Sequence, residues 1–149
     1  MTAKQYLSQL KKLDIQISQL MSEKEYLEGA LVNKSITIKD IRVKSSLPAD
    51  PMADAITRIV DLEKELDKKI DRLIDLRTII VEQIQSLQNS LYMQILYKRF
   101  VEYKRCTDVF DEIRKETPTY TYSDRQLYRA YDSALMEFSK IMKRHSWKY

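Results

Sequence analysis

The sequence predicts an all-α protein, a long antiparallel helical hairpin (coiled-coil-like) followed by a helix-turn-helix domain. Three observations lead there. The 149 residues include one Gly and three Pro, so tight left-handed turns are scarce and a loop-rich or β-rich fold is disfavoured. Residues 3–31 and 52–87 carry apolar side chains at alternating spacings of three and four, which is the coiled-coil period. Shorter amphipathic stretches follow residue 89 and end in a well-signalled helix start at Ser123.

The first helix is expected over residues 2–33. Ala3, Tyr6, Leu10, Leu13, Ile17, Leu20, Lys24, Leu27 and Leu31 make an a/d seam, with Lys24 its one polar position. A seam lysine either sets register and oligomer state or snorkels to water. Ile15 and Met21 lie off the seam, and Gly29 weakens the final turn by about 1 kcal/mol relative to Ala. Residues 33–49 interrupt the pattern. Ile36, Ile38, Ile41 and Val43 alternate with polar residues and fit short strands, although no hairpin dipeptide joins them. Ser45-Ser46-Leu47-Pro48 reads as loop, so the segment is taken as a connector.

Asp50-Pro51 is a helix start, an acidic N-cap with Pro at the first helical position. The second helix is expected to reach residue 87, about 55 Å at 1.5 Å per residue. Its expected seam is Met52, Ile56, Ile59, Glu63, Leu66, Ile70, Leu73, Arg77, Ile80, Ile84 and Leu87, flanked by Val60, Leu62, Ile74, Leu76 and Val81. So wide an apolar face implies more than one neighbouring helix. The two helices are expected to pair antiparallel, within one chain or swapped between chains, and to form a homodimer or higher homo-oligomer. Leu10, Leu13, Ile17, Leu20, Ile70, Leu73, Ile80 and Ile84 are the expected oligomerisation residues. Glu65 with Lys69, and Lys68 with Arg72, read as an outer solvated face.

The C-terminal part, residues 89–149, reads as three helices. Leu91, Ile95, Leu96, Phe100 and Val101 belong to the first, and Val109, Phe110 and Ile113 face inward from the second. Residues 116–122 form a turn, and the third helix opens at Ser123. Ser123-Asp124-Arg125-Gln126 fits a capping box, with hydroxyl and amide side chains satisfying each other's backbone N–H groups. Leu127, Tyr131, Ala134, Leu135, Phe138, Ile141 and Met142 are its apolar side. A helix packed on one face, with Ser, Arg and Tyr at its capped N-terminus, can enter a DNA major groove. Candidate contacts are Ser123, Asp124, Arg125, Tyr128 and Arg129, with Tyr122, Arg114 and Lys115 beside them. The plainer alternative is a solvated face, with Asp132 pairing Arg129 and the tyrosines Tyr120, Tyr122 and Tyr128 capping a small core.

Charge and chemistry narrow the function. Residues 1–88 hold 14 Lys/Arg and 14 Asp/Glu, whereas residues 89–149 hold 12 and 8, so the whole excess of +4 sits C-terminally. That asymmetry suits a polyanionic partner. His145 is the only histidine and Cys106 the only cysteine, which leaves no nucleophile–base pair and no usual zinc ligand set. Gly29 alone cannot make a phosphate loop. The expectation is a non-enzyme with no cofactor and no metal. No run reaches the ~18 apolar residues of a membrane span, and with a single cysteine and no leader pattern the expected location is a reducing cytoplasm.

The chain resembles small phage-encoded transcription regulators whose C-terminal domain is similar to region 4 of bacterial sigma factors, among them late-gene activators and autolysin-type regulators. TAKQYLSQLKKLDIQI looks like the N-terminal helix of that family, and VKSSLPADPMADAITRIVDLEKELDKKIDRLIDL like its Asp-Pro-initiated second helix. YMQILYKRFVEYK and YSDRQLYRAYDSALMEF look like the sigma-type core. The resemblance implies duplex DNA as ligand, Arg125 and Arg129 as contacts with Tyr128 close by, and activation of phage genes together with host RNA polymerase. Two departures stand out: Thr117-Pro118-Thr119 lengthens the turn, and Arg114 occupies a position where the family has a small Ala. The competing class is a coiled-coil adaptor that docks on a protein such as RNA polymerase without binding DNA. A purely structural helical assembly protein is the third reading.

Overall fold

A computed structural model describes the backbone of residues 1–40 and 51–145, and the side chains of residues 1–33 and 51–144. All regular structure among them is helical: α1 (Ala3–Asp40), α2 (Pro51–Gln85), α3 (Ser90–Leu96), a π-helical turn (Tyr97–Val101), α4 (Cys106–Glu116) and α5 (Asp124–His145). No described helix is long and apolar enough to cross a membrane.

These elements make two compact units, and the boundary is not at residue 88. One unit joins Met1–Lys12 to Leu73–Tyr149, and the other is Leu13–Arg72. The C-terminal helices are thus not a self-contained domain of residues 89–149. Their core includes Ala3, Leu7 and Leu10 of α1 and Ile80 and Ile84 of α2, packed with Ile95, Phe100, Phe110, Leu127 and Phe138. The reason is area: three short helices expose more apolar surface than they can cover by themselves. Within this unit the Tyr6 hydroxyl donates to Oε1 of the buried Gln83 at 2.9 Å, and the Tyr6 ring lies 6.0 Å from that of Phe138.

Asn89 caps α3, its side chain accepting from the N–H groups of Leu91 (2.9 Å) and Tyr92 (3.3 Å). After Leu96 the helix widens: the Glu102 N–H reaches the Tyr97 carbonyl at 3.1 Å and the Lys104 N–H the Lys98 carbonyl at 3.1 Å. The widened turn lets the neighbours Phe100 and Val101 both face the core. Tyr103 then takes φ 60°, a left-handed conformation that ends the helical run.

In the second unit α1 and α2 run antiparallel. Lys24 Nζ meets Glu63 at 3.2 Å, while Lys69 Nζ donates to Gln16 Oε1 at 3.4 Å. Lys69 therefore reaches across the pair, and no Glu65–Lys69 bridge forms. The buried side chains here are Leu13, Ile17, Leu62 and Leu66.

Several sequence expectations change. α1 continues to Asp40, so Ile36 and Ile38 lie on a helix and not on strands. Ile41, Val43, the loop 45–48 and the Asp50 cap lie outside the described residues. Pro51 does open α2, which ends at Gln85. The seam of α2 runs through Leu62 and Leu76 instead of Glu63 and Arg77. A three-four repeat has two neighbouring registers, and the one adopted keeps a carboxylate and a guanidinium in water while exposing Ile56 and Ile70. Of the side chains expected to serve oligomerisation, Leu10, Leu13, Ile17, Ile80 and Ile84 are buried within the chain itself, and Leu20 and Leu73 are half-buried. Ile70 alone of that set is exposed.

Candidate nucleic-acid interface

The site is built on α4, the turn after it and the first two turns of α5. The capping box at Ser123 is formed: Ser123 Oγ accepts from the Gln126 N–H at 3.2 Å, and Gln126 Oε1 accepts from the Ser123 N–H at 2.9 Å. Gln126 Nε2 also donates to the Tyr120 hydroxyl at 3.1 Å, tying the turn to the helix. Ser123→Ala removes one half of this exchange and is expected to cost about 1 kcal/mol. Chemical denaturation followed by circular dichroism measures it, and an unchanged midpoint would mean the cap carries no weight.

Leu127 and Ala134 are fully buried beneath α5, with Tyr131 close behind. The outer face therefore presents Arg125, Tyr128 and Arg129, all exposed. Tyr128 stands edge-on to Phe110 with centroids 4.8 Å apart, so α4 braces its ring while 47% of the residue stays open. Tyr120 and Tyr122 form a second edge-to-face pair at 4.7 Å.

Arg114 has a different part from the one expected of it. Its Nε donates to the Tyr122 carbonyl at 3.0 Å, Nη1 to Asp111 at 3.2 Å, and Nη2 to Asp124. It is a strut between α4, the turn and the start of α5. Asp124, its partner, spends its charge on that bond. Ser123 Oγ is likewise engaged in the cap. Of the eight expected DNA contacts, Arg125, Arg129, Tyr128 and Lys115 are brought to the surface without an intramolecular salt bridge, and Tyr122 is half-buried behind them.

The neighbouring cations are mostly committed. Lys98 bridges Glu112 (2.9 Å) and Glu116 (3.0 Å), and Lys104 bridges Glu102 and Glu112 at 2.7 Å each. Arg105 pairs with Asp108. Among the described residues Arg125 and Arg129 have no ion-pair or hydrogen-bond partner, and Arg129 does not pair with Asp132. Sequence reasoning missed the Lys98–Glu112–Lys104 network, because its members lie up to 14 residues apart and share no helical face.

That network has a pH signature. Hydrogen bonds from Lys104 and then Lys98 pull the Glu112 carboxyl down to about 2 from its ordinary 4.5. A depressed folded-state pKa contributes stability above the ordinary value and loses it as pH falls through the folded one. The contribution is therefore full above pH 4.5 and disappears between 4.5 and about 2. Glu112→Gln is expected to flatten the acid limb of a stability–pH profile in that window, and an unaltered limb would rule the network out as its source.

No family model, curated protein or solved structure matches the chain.

Proposed function

We propose that the chain is a sequence-specific DNA-binding transcription regulator that reads duplex DNA with the N-terminal half of α5. One observation carries this reading. Arg125 and Arg129 stand one turn apart on the open face of a helix whose other face is buried, and they have no partner where most nearby cations have one. A guanidinium left unpaired beside carboxylates that others have taken is available for phosphate or guanine. Tyr128 between them adds an aromatic surface of fixed orientation, suited to a sugar or thymine methyl. Arg114 sets the angle at which α5 leaves the turn, as a positioning residue. The resemblance to sigma-like phage regulators supports a role at promoters alongside host RNA polymerase, as a late-gene activator.

Genomic selection of bound duplex DNA at physiological salt tests the reading. Wild type is expected to enrich a motif that Arg125→Ala/Arg129→Ala loses while its helical circular dichroism stays the same. If wild type enriches nothing, the DNA reading fails and the exposed α5 face is better assigned to a protein-docking adaptor.

A further inference from the structure

The second unit carries the opposite electrostatic imbalance, and it does so around apolar surface. Between α1 and α2 lies an open groove of about 340 Å³. Leu66, 7% exposed, forms part of its lining, with Met21 at 49% and Ile70 at 37% beside it. On α2 residues 63, 67 and 70 recur at spacings of four and three, so Glu63 and Asp67 share one helix face with Ile70.

Carboxylates border this apolar strip. Glu25, Glu28, Glu63 and Asp67 all line the groove, and Lys24 is its one cation. Lys24 is taken up by Glu63 at 3.2 Å and Glu28 at 3.7 Å, and Glu63 first among its neighbours raises its pKa. Glu25 and Asp67 have no basic partner among the described residues. Three negative charges thus stay uncompensated beside exposed Met and Ile, on a chain whose net charge is +4.

We propose that this groove receives a basic amphipathic helix of a protein partner. A groove with Met21, Leu66 and Ile70 as its apolar lining and four carboxylates around them is the complement of a helix with an apolar stripe and Lys or Arg on its flanks. The paired charges supply orientation and on-rate, and the Met–Leu–Ile strip supplies the buried area. A second copy of this chain is the poorer occupant, because a two-fold contact through this face sets carboxylates against carboxylates. The groove's carboxylates give it the wrong sign for a phosphate backbone. The inference rests on the second unit alone and is independent of the DNA reading of α5.

Two labelled helix-forming peptides of about 18 residues, five turns, test it against the full-length chain by fluorescence anisotropy at physiological salt. Both carry one leucine stripe, flanked by lysine in one and glutamate in the other. The lysine peptide is expected to bind and the glutamate peptide not to. Glu25→Lys/Asp67→Lys, at two exposed positions, is expected to weaken the lysine peptide at least tenfold with unchanged helicity. Ile70→Asp is expected to weaken it as well, which separates groove docking from bulk charge attraction. Equal binding of both peptides, or full affinity in either variant, overturns the proposal. So does light scattering that finds a dimer abolished by Ile70→Asp, since a second copy would then cover the strip.

Discussion

Phe138→Ala is expected to destabilise the first unit by about 3–5 kcal/mol, the largest effect of any single change considered. The ring is fully buried and lies 6.0 Å from Tyr6, so it links α5 to the start of α1. Domain stabilities are only about 5–15 kcal/mol, so a loss of this size takes a third or more of the total. Urea denaturation followed at 222 nm reads it as a shift in midpoint at constant slope. Met136→Ala, two residues away and 66% exposed, is the control and is expected to stay within about 0.5 kcal/mol of wild type. Equal midpoints for the two variants would mean that α5 is not anchored through Phe138.

The second large effect concerns salt. Each cation that neutralises a phosphate contributes roughly 0.9 to the slope of log K against log salt. If Arg125 and Arg129 both meet phosphates, the double alanine variant is expected to bind with a slope shallower by about 1.8. An arginine that reads a base edge instead behaves differently: its loss costs about 1–3 kcal/mol at one position of the motif. Comparing single variants across salt concentrations separates the two roles. A double variant with wild-type slope and affinity would retire α5 as the reading helix.

The parts legible in the sequence were those written in local chemistry. Ser123 and Gln126 sit three apart and satisfy each other whatever surrounds them, and Pro51 opens α2 as its fixed φ allows. The apolar side of α5, with Leu127, Ala134 and Phe138 buried, follows from helical spacing alone. The seam of α2 was harder, because its two possible registers share Met52, Ile59, Leu66, Leu73, Ile80 and Leu87. They differ only at sites such as Leu62 against Glu63, where desolvating a charge decides. The π-helical turn has no local signature, since Tyr97–Val101 is an ordinary helical run. The burial of both Phe100 and Val101 goes with it, and burial depends on the whole fold. Arg114 stands in the sequence as a cation next to the turn before α5. Only the position of the Tyr122 carbonyl and Asp124 reveals a strut.

The first unit is made from both ends of the chain, Met1–Lys12 with Leu73–Tyr149. Its N-terminal piece leaves the ribosome first and must wait for its partners. Tyr6 meets Gln83 only after 77 more residues have been added. The closure entropy of so long a loop is paid before any of that core forms. Residues 84–149 made separately would lack Leu7 and Leu10, and a bulky fusion placed just ahead of Ala3 would press on a core residue rather than a free end. Residues 1–12 thus complete a core whose other members come from Leu73 onward.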